Sequence, residues 1–228
     1  ERHADGLILM TGSMPVELED SGLPPMVVAL EYLPTRKLPT VLIDNEGAAA
    51  MATRHLLDLG HTAIAHLSGP VPEVMSVARV AGWRKTMTDA GFPPDERLAV
   101  RGDYSLAAGE AAIDELYGRG VSFSALFASN DEMAVGAINR LRERGVSVPG
   151  DVSVVGFDDT ICAVACNPPL TTVRQPQRDI GVEVMRLMIE RLAGHLPPDA
   201  KVVMPTGLVV RSSTAPAKPE GLVAAGTR

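Results

Sequence analysis

Four side chains that can bind a hydroxylated small molecule follow short aliphatic runs of this chain. They are Arg79, Tyr104, Asn130 and Asp158. A carboxylate accepts hydrogen bonds from paired hydroxyls, guanidinium and amide groups donate them, and an aromatic ring covers the apolar face of a ring-shaped ligand. These side chains provide binding chemistry, and none of them needs an unusual pKa for it.

The runs that precede these side chains belong to a regular alternation. From Thr40 to Val155, short β-branched runs alternate with longer amphipathic runs that end in glycine, which predicts βα units around a parallel sheet. The run Val152–Gly156 predicts a buried strand that carries Asp158 to the carboxyl edge of that sheet. Because open α/β folds bind ligands at this edge, we expect the four side chains to meet there.

Each of the four side chains also has an ordinary structural interpretation. Asn130 can cap the helix that is predicted to end at Gly145, and Asp158 can be a turn residue. Arg79, about one turn into a predicted helix, can be a solvated arginine, and Tyr104 can pack within its loop. A binding pocket is therefore indicated by the convergence of the set and not by any single member.

Composition limits the classes of function. The chain has 228 residues, 46% of them hydrophobic and 4% aromatic, which suffices for an aliphatic core in one or two domains. Its formal net charge of -7 provides no basic surface for the phosphate backbone of a nucleic acid. The sequence shows no uncharged apolar run long enough to cross a bilayer and no leader pattern, so we expect a cytoplasmic protein if no leader was removed.

Sequence signals for catalysis, cofactors and metals are missing. No Gly-x-Gly-x-x-Gly opens a helix, and there is neither a phosphate loop nor a nucleophile elbow. The histidines are scattered, and His55 and His61 flank a helix end, where histidine usually interacts with terminal carbonyls. Cys162 and Cys166 lack the further ligands of a zinc site and are expected to be free thiols. The sequence therefore predicts a protein that is not an enzyme and holds neither cofactor nor metal.

The residues at the predicted sheet edge belong to an ordered set of motifs that closely resembles the Lac repressor/galactose repressor family of bacterial transcription regulators. The motifs cover almost everything from Asp5 to about Ser213. They include Asp5-Gly-Leu-Ile8, Ile43-Asp-Asn45, Leu59-Gly-His61, Leu67-Ser-Gly-Pro70, Arg79-Val-Ala-Gly-Trp83, Gly102-Asp-Tyr104, Ala128-Ser-Asn-Asp-Glu-Met-Ala134, Gly156-Phe-Asp-Asp159 and Pro168-Pro-Leu-Thr-Thr-Val-Arg-Gln-Pro176. Arg101-Gly-Asp-Tyr-Ser105 and Arg178-Asp-Ile-Gly181 look most like the cytidine repressor branch, which points to a nucleoside or a related pentose as the ligand.

The resemblance implies a ligand site and partners. The positions that match the family's effector cleft are Asp44, Arg79, Tyr104, Asn130, Asp158 and Gln175. The chain is then expected to be the effector-binding and dimerisation core of a regulator. A small polyhydroxylated ligand, a nucleoside or a sugar, would bind in the cleft between two subdomains and control operator binding by a homodimer.

The resemblance also implies an architecture of two Rossmann-like α/β subdomains with parallel sheets, joined by three crossovers in the manner of type I periplasmic binding proteins. The expected first subdomain comprises residues 1–44 and 175–198, and the second comprises residues 45–174 and 199–212. Residues 213–228 lack periodicity and are expected to form a mobile tail.

The sequence departs from the family pattern at its beginning. The helix-turn-helix and hinge helix have no counterpart, and neither do the first strand and helix of the effector domain, which normally form the centre of the first subdomain's sheet. Residues 15–19 carry only a very short helical pattern. We therefore expect an incomplete first subdomain, in which two neighbouring strands each expose an edge, and operator binding through an N-terminal domain outside this chain.

Two rival hypotheses remain at this point. A periplasmic solute-binding protein shares the two-subdomain fold and the cleft, and a secretory leader upstream would favour it. An α/β enzyme needs a nucleophile or a cofactor loop that the sequence does not offer.

Overall fold

The chain forms two compact units in a computed structural model that describes residues 4–11, 22–33 and 36–218. The first unit comprises Glu1–Asp44 and Pro176–Thr206, and the second comprises Asn45–Gln175 and Gly207–Arg228. The chain thus passes between the units three times. Both units contain a sheet dominated by parallel strands. The expected α/β fold with two Rossmann-like subdomains is therefore confirmed, whereas the helical pattern of residues 15–19 lies outside the described residues.

The elements of both units follow one another regularly along the chain. In order they are β1 (Leu7–Leu9), β2 (Met26–Ala29), β3 (Thr40–Ile43), α1 (Asn45–Asp58), β4 (Ile64–Ser68), α2 (Val74–Asp89), β5 (Ala99–Arg101), α3 (Leu106–Gly118), β6 (Ala125–Ala128), α4 (Asp131–Glu143), β7 (Ser153–Asp158), α5 (Ile161–Ala165), β8 (Thr171–Arg174), α6 (Gln177–Leu192), β9 (Lys201–Met204) and β10 (Gly207–Val209).

The first unit has a four-stranded sheet in the order β1-β2-β3-β9, in which every neighbouring pair is parallel. The strand β2 is buried along its whole length, and α6 packs on β2 and β3 through an apolar face that includes Ile180, Val184 and Leu187. This is the usual arrangement of a helix that covers a parallel sheet.

Two expectations for the first unit are corrected. We expected both final strands, within residues 199–212, in the second unit, but β9 pairs with β3 from Thr40↔Lys201 to Ile43↔Met204. The reason is that α6 packs on β2 and β3, so the chain that leaves α6 arrives at this sheet. We also expected two free edges inside the sheet, but β1 and β2 pair directly, with Leu7 opposite Met26.

The second unit has a six-stranded sheet in the order β10-β8-β7-β6-β4-β5. All neighbours are parallel except β10, which runs antiparallel to β8. The central strands β6 and β7 are buried almost throughout because both faces of the sheet are covered, as their continuous apolar sequence indicates. The helices α3 and α4 approach closely at Gly109 and Gly136, where a Cβ atom would overlap a backbone carbonyl of the other helix.

The C-terminal segment is a third correction, because residues 213–218 are fixed to the second unit. Ser213 is buried, its Oγ donates to Val154 O at 2.6 Å, and it accepts from Thr171 N at 2.8 Å. Farther along, Ala217 N donates to Leu59 O at 2.8 Å. The expected tail therefore does not begin at residue 213, since the backbone there continues to pair with β7; residues 219–228 lie outside the described part.

Membrane insertion through a helix finds no support in the described residues, because none of the helices there combines the length and the apolar character that a bilayer crossing needs.

Candidate ligand-binding site

The carboxyl edge of the second sheet brings together most of the side chains that the sequence singled out. Asp158 is the last residue of β7, Gln175 follows β8, Asn130 follows β6 by two residues and Tyr104 follows β5 by three. Because β5 to β8 are parallel members of one sheet, these ends share one edge. Arg79 reaches the same region from α2, as its contacts below show.

Asp158 and Gln175 form the centre of this group. Gln175 Nε2 donates to Asp158 Oδ1 at 2.5 Å, and Gln175 Oε1 is buried without a hydrogen-bond partner among the described residues. Burial raises the pKa of Asp158 to about 6, although the Arg79 charge and the Gln175 hydrogen bond both act to lower it. Binding does not need this shift, which arises because the carboxylate is desolvated at a strand end.

Arg79 is not the solvated arginine of the ordinary interpretation. It is 2% exposed, and its guanidinium lies over the Phe157 ring at 3.6 Å. Nε donates to Asn45 Oδ1 at 2.9 Å, and Nη1 donates to Ser129 O at 2.5 Å. These contacts hold the guanidinium plane in a fixed orientation, which is what directional recognition by arginine requires.

Tyr104 and Asn130 are joined by a hydrogen bond. Asn130 Nδ2 donates to Tyr104 O at 2.8 Å, while Asn130 Oδ1 accepts from Met133 N at 3.0 Å. Asn130 is therefore the helix cap of its ordinary interpretation and also fixes the loop of Tyr104, whose φ is +69°. The Tyr104 hydroxyl lies 2.7 Å from Ser76 Oγ, and its ring lies so close to Gly69 that a Cβ there would overlap it.

Asp159, the next residue after Asp158, faces different partners. Its carboxylate accepts from Arg174 Nε and from Arg211 Nη2, each at 2.5 Å. Although burial acts to raise it, the hydrogen bonds from Arg211 and Arg174 hold the pKa of Asp159 below its ordinary value. Arg174 directly precedes Gln175 at the second crossover, and Arg211 follows the third, so Asp159 joins β7 to chain segments next to two crossovers.

Asp131 anchors the same region from the first residue of α4. Its carboxylate is buried and accepts from Thr172 Oγ1 at 2.6 Å and from Thr160 N at 2.7 Å. Gly156 is required beside it, because a Cβ at that position would lie 2.5 Å from Asp131 Oδ1. This carboxylate therefore connects α4, which carries Asn130 at its N-cap, with β8, which leads to Gln175.

Several of these groups were not predicted from the sequence, and one predicted residue, Asp44, belongs to the first unit. Asp44 is an exposed residue that ends the first unit, directly after β3. The missed residues are Asn45, Ser76, Ser129, Asp131, Phe157 and Asp159. Most lie within one residue of a predicted site position, so the flanks of each strand-end motif were the available signal.

His55 and His61 have structural roles that differ from the helix-end interpretation. His61 Nδ1 lies 2.9 Å from Ser124 Oγ, and Nε2 lies 3.0 Å from Ala215 O. His55 Nε2 lies 3.0 Å from Thr214 Oγ1. Both rings therefore contact the C-terminal segment instead of helix carbonyls, and His61 directly follows Gly60, whose φ of +88° turns the chain after α1. Within the described residues, no group of three His, Cys, Asp or Glu side chains is arranged to hold a metal ion.

Comparisons with known proteins agree with this architecture. Residues 53–214 match the family described as periplasmic binding protein-like domain. The transcriptional repressor CytR of Escherichia coli (strain K12) is 34% identical over 93% of this chain and 63% of its own length. The chain therefore spans slightly less than two thirds of the length of this curated relative.

Two solved structures give the same result at the level of the fold. The transcriptional regulator CelR in complex with cellobiose has a TM-score of 0.87 and 37% identity, over 92% of this chain and 66% of that one. A sugar-binding transcriptional regulator of the LacI family from Escherichia coli, complexed with phosphate, has a TM-score of 0.78 and 31% identity, over 93% of this chain and 77% of that one. The chain belongs to the periplasmic binding protein-like domain family and, within it, to the LacI/GalR family of regulators.

Proposed function

We propose that this chain is the effector-sensing core of a transcription regulator and that its effector is a small polyhydroxylated molecule, a sugar or a nucleoside. The observation that carries the proposal is the pair Asp158 and Gln175. Asp158 is a desolvated hydrogen-bond acceptor, and the adjacent Gln175 Oε1 is buried without a partner among the described residues. A buried polar atom left unsatisfied costs about 1–3 kcal/mol, which a ligand hydroxyl would recover.

The remaining groups fit the same class of ligand. Arg79 supplies a fixed cationic donor, and Ser129 Oγ is a second buried oxygen without a partner among the described residues. Tyr104 presents an aromatic ring beside the loop that Asn130 holds. Such a set of a few directed polar groups with an aromatic face is typical of sites for sugars and nucleosides. The proposed ligand-binding residues are Asp44, Arg79, Tyr104, Asn130, Asp158 and Gln175.

The relatives support a regulator and indicate two ligand classes. One structural relative is a complex with cellobiose and another relative is named CytR, and the identities of 37% and 34% do not separate the two. We therefore propose two candidate ligands, a nucleoside, which the sequence motifs favour, and a sugar. Both present the vicinal hydroxyls that a carboxylate binds.

The whole protein would act as a cytoplasmic homodimer that binds operator DNA through an N-terminal domain outside this chain. The net charge of -7 supports DNA binding by a different domain, since contacts with phosphates require clustered cations. The ligand would act through its different affinities for two conformations of the regulator. We propose sensing without turnover, because the relatives are named as regulators and the site groups above serve binding.

The periplasmic solute-binding alternative receives less support. The two solved relatives described above, both more than 30% identical, are named as transcription regulators. The shared fold accounts for the family description without assigning the function of solute capture.

Operator binding by the full-length protein tests this proposal. An electrophoretic or fluorescence assay with its operator is repeated in the presence of nucleosides, pentoses and hexoses. We expect at least one of them to change operator affinity by fivefold or more in the wild type and to have no effect in the Asp158→Asn variant. The proposal fails if no member of the panel changes operator affinity.

A further inference from the structure

The first unit contains a cavity of about 380 Å³ at the amino ends of two neighbouring strands. Thr40 and Lys201 line it, and they are opposite one another as the first residues of β3 and β9. This volume falls within the range of small-molecule sites, roughly 300–1,000 Å³. None of the residues proposed above for effector binding lines this cavity.

The charge of the cavity is opposite to that of the chain. Arg36, Lys37 and Lys201 line it together with a single acid, Asp199, whereas the whole chain carries a formal charge of -7. Several described acids elsewhere in the structure form ion pairs with arginines or lysines, but no described acid pairs with Lys37 or Lys201. A concave site with a local excess of positive charge focuses the field and concentrates anions.

The walls of the cavity also offer apolar surface. The Tyr32 ring, which is half exposed, and the side chains of Leu38 and Leu42 line it. An inorganic anion would gain nothing from contact with these apolar walls. An organic molecule would cover them and remove apolar surface from water. Asp199 at the rim is able to accept hydrogen bonds from hydroxyls of such a molecule.

We propose that this cavity, here called the basic cavity, binds a small phosphate monoester whose carbon skeleton carries hydroxyls. A phosphate monoester has a charge of about -1.5 to -2 at neutral pH, which matches more than one lysine. Lys37 and Lys201 would hold the phosphate as point charges and Arg36 would donate to its oxygens, as these residue types do in phosphate sites. The skeleton would lie against Tyr32 and Leu38. This inference is independent of the identity of the effector bound at Asp158.

Titration calorimetry on this chain tests the basic cavity, with the phosphate monoesters of glycerol, a pentose and a hexose as probes. Inorganic phosphate and the unphosphorylated hexose serve as comparison ligands. We expect at least one monoester to bind at least tenfold more tightly than inorganic phosphate, with an affinity that falls as salt is raised. Binding of inorganic phosphate as tight as that of the esters would contradict the proposed role of the apolar walls.

Substitutions test whether the monoester binds in the basic cavity. The double substitution Lys37→Gln with Lys201→Gln is expected to weaken monoester binding at least tenfold, and Arg54→Gln, which removes an exposed charge from α1 of the second unit, is expected to leave it unchanged. The Asp158→Asn variant is expected to retain monoester binding while losing the effector, which separates the two proposals. Equal binding by wild type and the double variant, or no binding of any monoester, overturns the basic cavity.

Discussion

Asp158 and Asp159 are consecutive residues with positive φ, 108° and 58°, and their carboxylates have opposite pKa shifts. Asp158, at the sheet edge, has a raised pKa because it is desolvated, whereas Asp159 has a lowered pKa because two arginines donate to it. The left-handed backbone is unfavourable for residues other than glycine, although aspartate tolerates it better than most. One turn thus places one acid at the sheet edge proposed for the ligand and directs the other to chain segments beside two crossovers.

The Asp158→Asn substitution is expected to stabilise the ligand-free protein at pH 7.5. The folded-state pKa of about 6 lies above the ordinary 3.8, so this carboxyl contributes stability below pH 3.8 that is lost as pH rises through 6. Removing the buried charge should raise the free energy of unfolding by on the order of 1 kcal/mol. Urea unfolding at pH 7.5 and pH 4 measures this difference. A gain at pH 4 as large as that at pH 7.5 would show that ionisation of Asp158 is not responsible.

The Asp159→Asn substitution is expected to destabilise the protein by about 2–4 kcal/mol, because it leaves the partly buried Arg211 without its charge partner. The control is Asp95→Asn, which breaks the exposed pair with Arg97 and should cost clearly less stability, because solvent screens an exposed pair. Denaturant unfolding of both variants gives the comparison. Equal losses of unfolding free energy in the two variants would mean that the ion pairs of Asp159 contribute no more than an exposed surface pair does.

The Gly69→Ala substitution is expected to displace the Tyr104 ring, because the new methyl group overlaps it. Ligand affinity should fall about tenfold if Tyr104 covers the ligand, since stacking and burial contribute about 1–2 kcal/mol. The control is Gly118→Ala, which meets nothing within 4 Å at the end of α3. Isothermal titration with the effector distinguishes the two glycines, and identical affinities would remove Tyr104 from the site.

His61 is expected to anchor the C-terminal segment and to make the stability of that anchor depend on pH. Burial lowers the pKa of His61 below 6.5, so its contribution to stability is present above pH 6.5 and is lost as pH falls below it. The His61→Ala substitution should accelerate hydrogen exchange at the Ala217 amide, which donates to Leu59 O. The exposed His195→Ala serves as the control. Unchanged exchange at Ala217 would mean that Ser213 holds the segment without the histidine.

Sequence periodicity predicted the alternation of strands and helices from Thr40 to Val155, because buried parallel strands such as β6 and β7 have continuous apolar sequences that stand out from amphipathic helices. It could not assign β9, since four alternating residues carry no information about which sheet they join. The C-terminal segment after Ser212 has no periodicity either, and side-chain hydrogen bonds from Ser213 and His61 hold it instead.

The position of the candidate site could be predicted from the residues that follow the predicted strands. For this reason Asp158, Asn130, Tyr104 and Gln175 were expected at one edge of the sheet. The pattern did not indicate that Arg79 is buried against Phe157, because a position one turn into a helix does not determine which face a side chain occupies. The raised pKa of Asp158 likewise depends on burial that only the folded chain shows.

Titration calorimetry of this chain against nucleosides, pentoses and hexoses at pH 7.5 and pH 5 tests the central claim most directly. The account predicts that one ligand binds at pH 7.5, that its affinity falls about tenfold at pH 5 because only about a tenth of Asp158 stays ionised one unit below a pKa of about 6, and that Asp158→Asn abolishes binding. Binding that is equally tight in Asp158→Asn, or that does not weaken at pH 5, would contradict it.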